Sequence, residues 1–485
     1  MSNDSSRIAV TASLRSPIEC SSVERVDGPL LFVNGAEGVG WDDYVEIRLT
    51  DGTTRHGVVV DVDHDLGIVE VFEGTGGIGV TGTTVAFTGR PLEIPVTDRW
   101  LGRISNGRGE PLDGGPPVIG SLRRPVYGNP INPAQRDVPR DPVLTGVSAI
   151  DGLATLVRGQ KLPVFSVGGL PHLELAIQIA AHAAVDETAT DDDFRVVFAG
   201  MGITNADADL VRAGLEERTR SGHATIFLNS ADDPTIERIL TPRIALTVAE
   251  HLAFDLGQHV LVVLTDMTAY SDAVRQLSAA RGEVPSRRGY PGYLFSDLSS
   301  IYERCGRIAG RPGSITELPV LTMPAGDITH PVPDLTGYIT EGQIVLSPDI
   351  YARDVDPPID ALASLSRLMR RGVGPQRTRD DHLAIAAQVL ALLSRARQAE
   401  ELSALIGLDA LSITEQRYIE FARRFESDFI GQGVDESRTL TETLDLAWRM
   451  ASILPERELT MVSREQFEQH ASCSAATDVG AGGAR

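Results

Sequence analysis

The stretch between residues 162 and 180 constrains the fold of this chain more than any other. Leu162-Pro163-Val164-Phe165 reads as a short buried strand. Residues 166–173 follow with two adjacent glycines, Gly168 and Gly169, and residues 174–180 carry apolar side chains at helical spacing. A strand that turns through glycines directly into a helix is the setting of a phosphate-binding loop, whose intact form reads Gly-x-x-x-x-Gly-Lys-Ser/Thr. Here the setting is present and the reactive atoms are missing. His172 stands where a lysine would reach the β- and γ-phosphates, and Leu173 where a hydroxyl would hold Mg²⁺. Pro171 replaces the second glycine and removes one of the backbone N–H donors that cradle an anion at a helix start. Lys161 is the only lysine in the chain and precedes the strand.

The surrounding sequence alternates strand and helix patterns. Strands are expected at 161–165, 194–198, 224–228, 260–265 and 320–323, with helices at 173–184, 206–220 and 241–257. This alternation predicts a largely parallel sheet covered by helices, with ligand sites beyond the carboxyl ends of the strands. The apolar run 259–265 delivers Asp266 to that edge. Asp266 has two readings: a carboxylate that positions Mg²⁺ or its water, or the N-cap of the next helix. Leu173 opposite it favours the cap or a vestigial role. A hydrolytic site also needs a group to polarise water. After the strand at 194–198 no carboxylate occurs until Asp207, so a second part is missing. Asp191, Asp192 and Asp193 read as a solvated loop.

Upstream, residues 7–80 alternate apolar and polar positions in short runs separated by turns, the pattern of a small closed β-barrel. Gly74, Gly76 and Gly79 match the spacing of a dinucleotide fingerprint, but a Thr/Val/Gly-rich strand pattern follows instead of a helix, so they read as turn glycines. Residues 90–141 form a Pro/Gly-rich connector. From 362 to 468 the pattern is helical, with Leu383, Ala386, Ala387, Leu390 and Leu393 on one expected face. The Ser/Ala/Gly-rich end, 469–485, reads as a disordered tail. Cys20, Cys305 and Cys473 lack ligand spacing and read as reduced thiols, with no metal site. The first residues lack the basic start and apolar core of a secretory signal. A net charge of −23 argues against nonspecific nucleic-acid binding and against docking on an anionic leaflet.

At the start of the helical third stands Pro357-Pro358-Ile359-Asp360-Ala361-Leu362-Ala363-Ser364-Leu365-Ser366-Arg367. This run resembles the signature of the rotary ATPase α/β subunits. So do segments 145–153, 156–163, 229–234, 287–293 and 328–343. Over roughly residues 8–462 the chain resembles the B-subunit (β-chain) family of archaeal-type and vacuolar-type rotary ATP synthases/ATPases. The resemblance implies an N-terminal β-barrel (1–75), a central RecA-like α/β domain with a parallel sheet (76–361, including the connector) and a C-terminal helical bundle (362–468). It implies a non-catalytic chain that alternates with a catalytic A subunit in an A3B3 ring, around a central rotor shaft and beside peripheral stalk subunits. Such a ring lies at the cytoplasmic face of the membrane and meets the membrane sector indirectly. ATP or ADP would sit at the A–B boundary with Mg²⁺ held by the partner, and Arg367 would reach across as an arginine finger.

Ser166, Gly168, Gly169, Pro171, His172 and Ser366 would line this chain's own degenerate nucleotide pocket. The family loop is expected to read Ser-Gly-Ser-Gly-Leu-Pro-His-Asn. Val167, Gly168 and Leu173 depart from it, and Leu173 removes an amide that could touch phosphate. The alternative is a self-contained hexameric P-loop ATPase of the export-apparatus or transcription-termination type, which requires the intact loop this chain lacks.

Overall fold

A computed structural model of the chain describes residues 17–20, 22–185 and 193–477, the last seven of these as backbone. Asp191, Asp192 and the side chain of Cys473 lie outside the described residues. The N-terminal alternation builds β1 (Ile18–Cys20), β2 (Val23–Asp27), β3 (Leu30–Asn34), β4 (Asp43–Arg48), β5 (Thr54–Asp63), β6 (Leu66–Val71) and β7 (Thr84–Pro91). They pair antiparallel in the order β1-β7-β4-β5-β6-β3-β2. β1 and β2 stand at opposite ends of this order yet are two residues apart in the chain, so the ends of the sheet meet and it forms a barrel. Leu31, Val33, Val59 and Val69 fill its interior. Their neighbours Leu30, Phe32 and Val58 face the other way and join Trp100, Phe227 and Ile244 in a second core, as a period of two requires. β7 lies past residue 75, so the barrel sheet extends to Pro91 rather than ending at the expected boundary. Gly74 and Gly76 sit in a loop whose carbonyls accept from the Arg55 guanidinium, and β7 follows, as the turn reading expects.

The central sheet contains β8 (Ile104–Asn106), β9 (Val164–Ser166), β10 (Phe194–Ile203), β11 (Ala224–Ser230), β12 (His259–Thr265), β13 (Ser314–Thr322), β14 (Gly342–Val345) and β15 (Leu365–Ser366). Their order is β15-β14-β9-β13-β12-β10-β11-β8. All pairs along this path are parallel except β14–β15. The five expected strands are all present. The connector is part of the same unit: it supplies β8, and its buried Trp100 packs on Phe227 with ring centroids 5.4 Å apart. Likewise β15 carries the sheet to Ser366, past the expected boundary at 361.

Helices α1 (His172–His182), α2 (Asn205–Gly214), α3 (Thr235–Glu250) and α4 (Met267–Ala280) cover the sheet. α3 begins six residues before the expected start at 241 and runs through Pro242, although proline is ordinarily tolerated only in the first turn. The C-terminal unit contains α5 (His382–Ile406), α6 (Ile413–Arg424), α7 (Leu440–Ala451) and α8 (Arg464–Thr477). Reciprocal caps, Ser412 with Glu415 and Thr439 with Glu442, start α6 and α7. Of the expected face of α5, Ala386 and Leu393 are buried and Leu390 is partly buried, while Leu383 and Ala387 are exposed; Ile385, Val389, Leu392 and Ala396 complete the packed stripe. Residues 383–393 are apolar almost throughout, so sequence periodicity singles out the packed stripe only in part. α8 runs into the segment read as a disordered tail; residues 478–485 lie outside the described residues. Among the described residues no helix is long and apolar enough to cross a membrane.

Two carboxyl groups are sealed in these cores. Glu70 in β6 and Glu317 in β13 are fully buried, and no carboxylate oxygen of either has a hydrogen-bond partner. Burial pushes both up to about 8, so the folded chain keeps them neutral near pH 7. In the unfolded chain they lose their protons near 4.5. Between these values the unfolded state binds fewer protons than the folded state, so stability falls as pH rises through the window. Thermal melts between about pH 5 and about pH 8 should show that fall, and Glu70→Gln and Glu317→Gln should each flatten it. A double variant with the wild-type pH profile would refute the assignment.

Candidate functional site

The loop after β9 is built from the inside outward. Ser166 is fully buried; its hydroxyl donates to the Val167 carbonyl at 3.2 Å and its own carbonyl accepts from the Met323 N–H at 2.7 Å. Gly169 adopts φ +91°, and Gly168 and Gly169 both border open space. Pro171 precedes α1 and gives it no side-chain cap. The His172 N–H donates to the Leu170 carbonyl at 2.8 Å, and its Nδ1 lies 2.9 Å from the same oxygen. The imidazole is therefore folded back on the loop. Leu173 is 7% exposed and belongs to the core beneath the sheet.

A cleft of about 470 Å³ opens above the loop at the ends of β10, β12 and β13. His172, Glu174, Asp207, Asp266, Thr322 and Tyr351 are among its lining residues, which include neither lysine nor arginine. Asp266 caps α4: Oδ1 accepts from the Thr268 N–H at 2.6 Å and the Thr322 N–H at 3.3 Å, and Oδ2 from the Thr322 hydroxyl at 2.6 Å. Burial raises its carboxyl against the opposing pull of these bonds. Asp207 is likewise engaged, accepting from the Thr204 hydroxyl at 2.8 Å in the capping box of α2. The helix starts thus engage Asp207 through Oδ2 and Asp266 through Oδ1.

Ser366 and Arg367 lie elsewhere, on the edge formed by β14 and β15, two strands from β9. The Ser366 hydroxyl accepts from Gln160 Nε2 at 2.9 Å. The Arg367 N–H donates to the Glu341 carbonyl at 2.9 Å, and its exposed guanidinium reaches the Thr340 carbonyl through Nη1 at 3.4 Å. Among the described residues no carboxylate forms an ion pair with it. Of the expected pocket residues, then, Gly169, Pro171 and His172 meet at the cleft, Ser166 lies buried beneath it, Gly168 stands beside it and Ser366 belongs to the Arg367 edge. Sequence reasoning missed Tyr351 and Thr322 in the cleft and Gln160, Lys161 and Glu341 behind the edge. The lone lysine of an arginine-coded chain was the available signal.

One further group among the described residues could offer three ligand atoms to a metal: Asp380, Asp381 and His470 in the helical unit. Asp381 already accepts from Arg379 Nε at 2.6 Å and from Trp448 Nε1 at 2.6 Å. The adjoining guanidinium opposes a cation there.

Family models match all three units. The ATP synthase alpha/beta family nucleotide-binding domain matches residues 146–366, the beta-barrel domain of that family 23–89, and the C-terminal domain of V and A type ATP synthase 371–471. The B subunit of the A-type ATP synthase of Aeropyrum pernix is 52% identical over 452 residues, covering 93% of this chain and 97% of that relative. Among solved structures, the ATP synthase subunit NeqB of Nanoarcheaum equitans superposes with a TM-score of 0.69 at 36% identity, covering 87% of this chain and 98% of that one. With a barrel, a parallel nucleotide-binding sheet and a helical unit matched in that order, the chain belongs to the B-subunit (β-chain) family of the A/V-type ATP synthases.

Proposed function

We propose that this chain is the non-catalytic B subunit of an A/V-type rotary ATP synthase/ATPase and that it contributes Arg367 in trans to a site whose remaining parts belong to the catalytic A subunit. The carrying observation is the contrast within one sheet. The loop at the centre lacks lysine and hydroxyl and opens on an acidic cleft. The arginine at the edge is exposed and forms no ion pair among the described residues.

A guanidinium stabilises the charge that builds on a transferring phosphoryl group because several N–H donors bind it at once. A finger already locked to an internal carboxylate would have to break that pair first, and Arg367 does not. Supplied across the A–B boundary, it acts only when the boundary closes, which ties chemistry to rotation. In this reading three copies alternate with three catalytic partners around the rotor shaft, beside the peripheral stalk. ATP or ADP and Mg²⁺ sit in the partner's site at the boundary, and the membrane sector couples turnover to H⁺ or Na⁺ transport. The ring then stands at the cytoplasmic face of the membrane.

In a reconstituted A–B ring, Arg367→Ala should lower ATPase turnover by about a hundredfold or more with the ring still assembled. Arg367→Lys should recover only part of it, since the charge returns without the planar fork. Wild-type turnover of the alanine variant would overturn the finger assignment.

The chain alone should not hydrolyse ATP with Mg²⁺, and calorimetric titration should find a Kd of about 1 mM or weaker for its own cleft. Hydrolysis by the isolated chain would reinstate the self-contained ATPase, and micromolar binding would overturn the vestigial reading of the loop.

A further inference from the structure

Lys161 is the only lysine among 485 residues, and it is 3% exposed. Its Nζ lies 2.8 Å from Glu341 Oε1 and 3.0 Å from Glu303 Oε1. Burial lowers its ammonium, but the Glu341 charge, with help from Cys305 and Glu303, outweighs that and leaves it raised. Glu341 is held at two further points: its Oε2 accepts from the Lys161 N–H at 2.9 Å, and its own N–H donates to the Lys161 carbonyl at 3.1 Å. The same Glu341 carries Arg367, because its carbonyl accepts from the Arg367 N–H at 2.9 Å.

Gln160 fastens the other side. Its Nε2 lies 2.9 Å from the Glu341 carbonyl and 2.9 Å from the Ser366 hydroxyl, while its Oε1 accepts from the Val157 N–H at 2.9 Å. The two backbones touch here. Gly342 has φ +149°, and a Cβ on it would collide with the Leu365 carbonyl. The main chain that presents an exposed arginine is thus tied from the interior to an ion-paired lysine and a glutamine.

We propose that Gln160 and Lys161 are positioning residues that set the placement of Arg367 at the A–B boundary. The inference rests on the finger reading given above. A buried ion pair is weak evidence for stability, because well-packed apolar residues usually serve that end as well or better. A group that must meet a transition state has a stricter need, since a misplacement of about 1 Å can cost about a hundredfold. Glu341 meets that need: its carboxylate is anchored and its carbonyl is the anchor for Arg367.

The test uses the reconstituted A–B ring with Gln160→Leu, Ser366→Ala, Lys161→Met and Lys161→Arg, each alone and with Arg367→Ala. Gln160→Leu and Lys161→Met should lower kcat about tenfold or more, with KM for ATP changed less than about twofold and the ring assembled. Lys161→Arg should restore part of kcat. In the Arg367→Ala background the same changes should cost nothing further, the non-additivity expected of residues that act through one another. Where Lys161→Met does not assemble, Gln160→Leu and Ser366→Ala decide, because they leave the lysine ion pair in place. Wild-type kcat in these variants, or equal losses with and without Arg367, would overturn the positioning role while Arg367→Ala alone still loses turnover. Wild-type turnover in Arg367→Ala itself is a different pattern: it removes the finger, and the positioning role with it.

Discussion

The pairing of one three-residue strand organises this molecule. Val164, Phe165 and Ser166 lie parallel between β13, where they face Val320, Leu321 and Thr322, and β14, where Val164 and Phe165 face Ile344 and Val345. The carboxyl end of β9 opens into the loop that meets α1, and the two residues that approach its other end, Gln160 and Lys161, fasten the edge that carries Arg367. Backbone bonds continue the pairing on both sides: the Leu162 N–H donates to the Glu317 carbonyl at 2.9 Å and the Ile344 N–H to the Pro163 carbonyl at 2.8 Å. A shift of register in β9 would turn its side chains over and disturb loop and edge together.

That constraint accounts for a loop that keeps its shape without its chemistry. Leu173 places an apolar side chain in the core where a hydroxyl would face the cleft. The His172 ring bonds to the loop carbonyl of Leu170, and Asp266 and Asp207 secure helix starts. Each replacement gives the strand–loop–helix unit an internal partner in place of a ligand.

Much of this was legible in sequence. The five central strands were found because each is a run of β-branched and apolar residues long enough to outweigh its flanks. β14 and β15, with four and two residues, carry no such signal. The first turns of α3 precede Pro242, and the apolar run 383–393 of α5 left only part of the packed stripe legible. At the site, residue identity alone exposed the missing lysine and hydroxyl of the loop, and Arg367 stood out through the run that precedes it. The surroundings of Arg367 were not legible. Lys161 meets Glu303 142 residues downstream, and Lys161 meets Glu341 180 residues downstream. Contacts at that range are products of the sheet order, which no local pattern encodes.

The same geometry links the nucleotide-binding sheet to the arginine edge. Arg367 follows a two-residue strand that, among the described residues, pairs only with β14, and β14 is held in the sheet by β9. A strand of two residues cannot hold an orientation by itself. Its direction is borrowed from β14, whose direction is borrowed in turn from the parallel core. Removal of the loop and α1 would take Leu173, Ala176, Ile179 and Ala180 out of the central core and uncover the buried residues they pack against. That core supports β9, and through β9 the arginine edge. The arginine edge thus depends mechanically on the unit that carries the loop.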